Sequence, residues 1–421
     1  MILRSRKEPD HYQSGAGGPF MNRICLIKNE ILEYPWGSET FIPELLGIKP
    51  SYNKPQAEMW MGAHKKAPSM VKIDNSLIPL NRLIAECPDD ILGKSVSEKF
   101  FREMPFLFKV LSASRPLSIQ AHPDKGQAQA GFKRENINLI PLDAANRNYR
   151  DDNHKPELIC ALTDMWALKG FREPDEIIRL CAPLEGILGK GFTHILKEKP
   201  DESGIKAFFM LLMDMEKSKA AALVNDAIKV IQPLRSKDNA YEWMHRLNIE
   251  YPCDIGVLSP LYLNVLKLAP GEAIFLAARE LHAYLSGSGL EIMANSDNVL
   301  RGGLTQKHID KDELMRILSF VPGKPQVITG NNNGRFETFY KTSSEEFILS
   351  LISLPEKDSI YKKEGERSIE IMLCTEGKAT IIDTSDGNSL DIKKGMSLLI
   401  PAAVSGYYIE GKATIYKASV P

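Results

Sequence analysis

A chain of 421 residues is longer than one hydrophobic core usually supports, since single cores stop growing at roughly 250–300 residues, and two or three compact units are expected. Its 53 basic and 54 acidic residues nearly cancel, which removes the electrostatic case for a nucleic-acid or anionic-membrane partner. With no apolar run near the roughly 20 residues that span a bilayer and no secretory h-region, the sequence predicts a globular, cytoplasmic protein.

Residues 1–20, including Gln13-Ser14-Gly15-Ala16-Gly17-Gly18, are polar and glycine-rich and read as a disordered extension, with Met21 as a natural start. Ordered patterning begins at Asn22. Short apolar runs rich in β-branched and aromatic residues, between Phe106 and Leu117 and from Leu261 to Leu285, predict strands. Between Pro174 and Ile231 apolar residues recur three or four apart, as in Ile177, Ile178, Leu180 and Phe208, Phe209, Leu211, Leu212. That spacing predicts packed helices serving as scaffold.

Strands return after Phe336, at Phe347–Ile352, Ala379–Ile382 and Met396–Ile400, separated by Gly377, Gly387 and Gly395 and closed by Pro401. Their length and spacing predict a jelly-roll or related antiparallel barrel. No histidine follows His308, so this barrel is expected to lack a histidine-based metal site. The expected division is a discontinuous catalytic unit (21–170 and 252–330), a helical insertion (171–251) and a C-terminal barrel (331–421). Cys25, Cys87, Cys160, Cys181, Cys253 and Cys374 form no C-x-x-C pair and are expected to be buried, reduced thiols.

Three segments carry groups suited to chemistry. Read as a strand, Arg115–Pro123 puts Leu117, Ile119 and Ala121 on one face and Ser118, Gln120 and His122 on the other. A polar row amid apolar sequence needs water or a site to satisfy it. In Asn153–Leu162, Glu157 stands at the entrance to an apolar strand, where a cation would offset its burial. After the Pro270-Gly271 turn, a strand brings His282 and Tyr284 to one face.

Each segment alone also fits a blander role: a solvated sheet face, a strand end, a structural histidine. Together they offer two imidazoles, a carboxylate and an amide oxygen, a donor set compatible with divalent zinc acting as a Lewis acid. An iron ion held by two histidines and a carboxylate presents the same pattern.

At these residues the chain resembles the type I mannose-6-phosphate isomerases, also called phosphomannose isomerases, over nearly everything from Met21 onward. The motifs are Tyr34-Pro35-Trp36-Gly37, Ala57-Glu58-Met59-Trp60-Met61-Gly62-Ala63-His64, Leu117-Ser118-Ile119-Gln120-Ala121-His122-Pro123-Asp124-Lys125, Asn153-His154-Lys155-Pro156-Glu157, and Ala294-Asn295-Ser296-Asp297-Asn298-Val299-Leu300-Arg301-Gly302-Gly303-Leu304-Thr305. The resemblance implies a mainly β fold of two cupin-type jelly-roll barrels with an α-helical insertion, one zinc per chain, and interconversion of mannose 6-phosphate and fructose 6-phosphate through an enediolate.

It further implies Gln120, His122, Glu157 and His282 as metal ligands and Arg301 as the catalytic arginine. Lys109 and Ser118 match positions associated with the substrate phosphate. His154, Lys155, Tyr284 and Asp297 match residues lining the pocket, and His154, Lys155, Asp297 or a metal-bound water are the candidates for proton transfer. Met59, where leucine is common, and the Leu276–Leu281 approach to His282 depart from the pattern, and neither touches a ligand.

Two rival readings share these residues. A ferrous-iron dioxygenase would consume oxygen, but Lys109, Lys155 and Arg301 suit an anionic sugar better. A sugar-binding barrel without turnover has no need of Arg301 above four intact ligands.

Overall fold

The computed structural model describes residues 22–51 and 53–421, so the expected extension and Met21 lie outside the described residues. Two large antiparallel sheets organise the chain. The first has ten strands, with a main path from Leu263–Leu268 through Met165–Phe171, His282–Ala294, Phe106–Ala113 and Glu58–Gly62 to Glu30–Leu32.

Its hub is the strand His282–Ala294, which pairs with Phe106–Ala113 and Glu157–Ala161 along one half and with Met165–Phe171 and Ile119–Ala121 along the other. A strand can change partners in this way only if it bends. The register shifts between Tyr284 and Ser286, and Gly287 follows at φ 108°, where a Cβ would lie 2.5 Å from the Asp164 carbonyl oxygen. Glycine meets both demands at that bend.

The second sheet has eleven strands and contains the expected C-terminal barrel, including Ile348–Leu354, Glu370–Asp383, Ser397–Ile400 and Gly406–Ser419. Three N-terminal strands, Cys25–Lys28, Met70–Ile73 and Ser76–Pro79, extend it, with Cys25 opposite Leu399. Alternation along Gly406–Ser419 divides two cores. Tyr407, Ile409 and Ile415 fill the barrel, while Tyr416 and Ala418 pack with Phe106, Phe108 and Leu158 of the first sheet.

Helices from Pro174–Cys181 to Ser259–Tyr262 follow one another between the strands Met165–Phe171 and Leu263–Leu268. Ile177, Leu180, Phe208, Phe209 and Leu212 are buried in one core with Phe171 and Leu261, whereas Leu211 is exposed, as an amphipathic stripe requires. Four of the six free cysteines are buried, Cys87 is half-buried, and Cys253 corrects the expectation of buried thiols. It stands exposed, at φ 66°, in the turn that leaves the helix Asn239–Glu250. Among the described residues no helix is long and apolar enough to cross a membrane.

Inside the C-terminal barrel an ammonium takes the centre. Lys417 Nζ lies 2.7 Å from Glu337 Oε1 and 3.5 Å from Glu370 Oε1, and the hydroxyls of Tyr361 and Tyr407 donate to the same two carboxylates. Burial alone would lower the lysine pKa, but Glu370, Tyr361 and Glu337 more than offset it and the pKa is raised. Removing the cation strands two buried carboxylates, so Lys417→Ala is expected to lose about 3–5 kcal/mol in urea unfolding; a loss below about 1 kcal/mol would show that the network carries little.

Candidate active site

Pro116 and Pro123 remove backbone donors on either side of Ile119–Ala121, and the strand expected over Arg115–Pro123 shrinks to those three residues. Ser118 therefore sits in irregular chain before it. Alternation survives within the short strand, with Ile119 and Ala121 buried and Gln120 turned the other way. Gln120 is directly opposite His282 on one neighbour and Arg301 on the other, so the three side chains share a face.

Glu157 opens the strand Glu157–Ala161, whose partners Leu276 and Met293 hold it in the first sheet. Its carboxylate meets both imidazoles: His122 Nε2 is 3.3 Å from Oε1 and His282 Nε2 is 3.4 Å from Oε2. Donor atoms from all three residues fall within 4.8 Å of one another, and all three residues are buried.

The other ring nitrogens settle the tautomers. Nδ1 of His122 donates to the Asn298 carbonyl oxygen at 2.7 Å, and Nδ1 of His282 to the Glu280 carbonyl oxygen at 3.0 Å. Each Nε2 is thereby left with a lone pair, and both are buried without a hydrogen-bond partner among the described residues. Burial lowers the His122 pKa to about 4, against the pull of Glu157, which keeps the ring neutral. For Glu157 burial acts to raise the carboxyl, but the Lys155 ammonium at 3.0 Å leads the interactions that hold it below the usual range.

Neutral imidazoles and an ionised carboxylate are the protonation states a metal needs. On a tetrahedral ion with bonds of about 2.0–2.1 Å, neighbouring donors stand about 3.3–3.4 Å apart, and the observed separations fit. The residues therefore suit a divalent ion, with Gln120 beside them as an amide donor.

Lys155 joins this cluster to a cavity of about 280 Å³: its Nζ is 3.0 Å from Glu157 Oε1, and the side chain lines the cavity. Arg301, Asp297, Lys109 and Lys307 line it too. Arg301 is half-buried; its pKa is lowered by burial and by Arg150, and that of Lys307 by burial, Arg301 and Arg150. Among the described residues no carboxylate pairs with these three cations. Sequence reading missed Lys307 and Arg150, although Lys307 follows the Arg301-Gly302-Gly303-Leu304-Thr305 motif closely.

Lys109, by contrast, is already matched. It bonds Glu291 at 2.9 Å and approaches Glu58 at 3.9 Å, and Tyr284 donates to the other oxygen of Glu291 at 2.9 Å. Asp297 is gripped by Lys66 at 2.7 Å and faces His64 Nε2 at 3.5 Å; burial would raise its carboxyl, but these partners hold it well below the usual range. Ser118, Tyr284 and His154 are not among the residues lining the cavity. The His154 ring turns to Glu346 of the second sheet's unit, at 2.5 Å.

Fold and site define a cupin-type barrel protein that can hold a divalent ion at a cluster joined by Lys155 to a cationic cavity. Residues 24–174 match the family model for the catalytic domain of phosphomannose isomerase type I, and residues 336–420 that for the cupin domain of mannose-6-phosphate isomerase. The mannose-6-phosphate isomerase of Escherichia coli is 41% identical over 389 residues, covering 91% of this chain and 96% of its own, and that of Homo sapiens is 32% identical over 408 residues, covering 90% and 94%. A zinc-bound crystal structure of mannose 6-phosphate isomerase superposes with a TM-score of 0.86 at 38% identity, covering 94% of this chain and 99% of that one. A mutant phosphomannose isomerase from Salmonella typhimurium gives 0.87 at 37%, with the same coverage. The chain belongs to the type I phosphomannose isomerase family.

Removing one imidazole from the cluster should empty it. His282→Ala is expected to lose stoichiometric metal by elemental analysis after dialysis, while Tyr284→Phe, which alters no donor, keeps it; full metal content in the alanine variant would take His282 off the ligand set.

Proposed function

We propose that this protein is a zinc-dependent aldose-ketose isomerase that interconverts mannose 6-phosphate and fructose 6-phosphate through an enediolate. The observation that carries this reading is the His122–Glu157–His282 cluster, whose unpartnered ring nitrogens converge on a carboxylate shared with a cavity-lining lysine. The names borne by the relatives and the zinc in a solved neighbour support it.

Gln120, His122, Glu157 and His282 would hold the ion. Zinc, when bound, supplies Lewis-acid polarisation of the sugar oxygens, which acidifies the proton next to the carbonyl. The isomerisation moves a proton from C2 of the aldose to C1 and, in balance, one from the C2 hydroxyl to the C1 oxygen. Lys155 and Asp297 both face the cavity, which supports them over His154 as candidates for the transfer. Arg301 offers a fixed charge and planar donors to the oxygen that becomes negative in the enediolate.

Phosphate needs unmatched positive charge. Lys307 and Arg301 supply it on the cavity wall, whereas Lys109 is neutralised by Glu291 and Glu58 and Ser118 lies off the cavity, so we assign the phosphate to Lys307 and Arg301. Lys109, held by Glu291 behind it, then offers a donor to sugar hydroxyls on the cavity wall beside Glu58. We further assign 21–170 and 252–330 to the catalytic unit, 171–251 to the insertion and 331–421 to a barrel without a metal site. A charge-balanced chain acting on a phosphorylated sugar is assigned to the cytoplasm, with no nucleic-acid or membrane partner.

The direct test is a coupled assay for fructose 6-phosphate formed from mannose 6-phosphate, before chelation, after it, and after zinc is restored. Activity should vanish and return; activity indifferent to chelation overturns the zinc assignment, and none at any stage overturns the isomerase. In the same assay Arg301→Ala should lower kcat by about 10²–10³-fold with zinc retained. Lys307→Ala should mainly raise KM, by about tenfold, as expected for one charge-assisted hydrogen bond; an unchanged KM removes Lys307 from the phosphate site.

A further inference from the structure

His154 is the pocket candidate that the structure turns away from the cavity, and its partner comes from the far end of the chain. Glu346 Oε1 accepts from His154 Nε2 at 2.5 Å, while its Oε2 accepts from the Ser344 hydroxyl at 2.7 Å. The carboxylate side chain is 12% exposed. Burial acts to raise its pKa, but His154 and Ser344 hold it down at about 2, so it is ionised.

The carboxylate is also held in place from behind. Phe347, next in sequence, is buried in the core that contains Leu158, the neighbour of Glu157, and Lys99 bonds Glu345 at 3.0 Å on the other side. The strand Ile348–Leu354 follows at once. Glu346 thus stands in the bend that leads into this strand, next to a buried phenylalanine.

On the catalytic side, the chain from Asn153 to Glu157 has fixed ends and a short span between. The Asn153 carbonyl accepts from Asn298 Nδ2 at 2.8 Å and from the Ser296 hydroxyl at 3.2 Å, and Glu157 enters the sheet. Pro156 restricts Lys155 to extended backbone. In extended chain, successive side chains point to opposite sides. Fixing His154 outward therefore aims Lys155 inward, where its ammonium meets Glu157 and the cavity.

We propose that Glu346 is a positioning residue for the isomerase site, acting through His154 to orient the Asn153–Glu157 segment and with it Lys155. The C-terminal barrel thereby contributes to catalysis in the other. This inference rests on the isomerase reading and assigns Glu346 no contact with substrate.

A double-mutant cycle on the zinc-loaded full chain tests it, with kcat, KM and zinc content measured for each variant. Glu346→Ala should lower kcat about tenfold, as misplacement of a reacting group does, with zinc content unchanged and KM moved less than twofold. Glu346→Gln, which keeps the acceptor oxygen and the side-chain volume, should lose about threefold. In a His154→Ala background both substitutions should have no further effect. Equal losses in the two backgrounds, a kcat that ignores Glu346, or a loss matched by departing zinc each overturns the proposal. If Glu346→Ala fails to fold, the glutamine substitution in the two backgrounds decides alone. An unaltered chain without turnover overturns the isomerase reading itself, whereas turnover insensitive to Glu346 overturns only this step.

Discussion

A carboxylate taken out of water must be compensated at once, and Glu157 is where this structure meets that demand. Desolvating an ion costs several kcal/mol, and here Lys155 and two imidazoles face the carboxylate at 3.0–3.4 Å. The imidazoles are neutral, so the local compensation is one ammonium, while two ring lone pairs point at the carboxylate instead of a proton being donated to it. Two lone pairs and an anion around one point repel one another unless a cation stands between them. The backbone carbonyls of Asn298 and Glu280 impose that arrangement by claiming the only ring protons. The site is therefore organised for an ion by the main chain as much as by the ligands.

Charge around the cavity is divided along similar lines. Where a cation serves as scaffold it is matched, as Lys109 is by Glu291 and Glu58 and Lys66 by Asp297. Around Arg301 the cations repel one another, and burial and that repulsion both lower the Arg301 pKa. Keeping such a group unpaired costs stability and leaves a field ready for an anionic substrate, which is the usual trade at functional sites.

The two barrels solve the problem of a polar interior differently. In the first, His122, Glu157 and His282 converge as a group that could hold a metal ion. In the second, Lys417 fills the corresponding need with its own ammonium between Glu337 and Glu370. The two are joined by a shared core in which Phe347, Tyr416 and Ala418 pack against Phe106 and Leu158, so the backbone of Glu157 is supported from both sides.

Periodicity and punctuation in the amino-acid sequence determined the strand and helix texture, the inserted helices from Pro174 and the glycine-spaced C-terminal strands, because these depend on local spacing of apolar side chains. The candidate donors His122, Glu157 and His282 were legible through the motifs around Gln120, Glu157 and Arg301, which are distinctive, and not through any one segment, since each alone also fits a blander role. Pairing across long separations was not legible. Nothing near Cys25 announces Leu399 as its neighbour, and nothing near His154 announces Glu346, since such contacts depend on how whole sheets close. The same limit applies to charge: a lysine in sequence carries no sign of whether a carboxylate will neutralise it, so only the tertiary structure separated Lys109, which Glu291 holds, from Lys307, which no carboxylate among the described residues pairs.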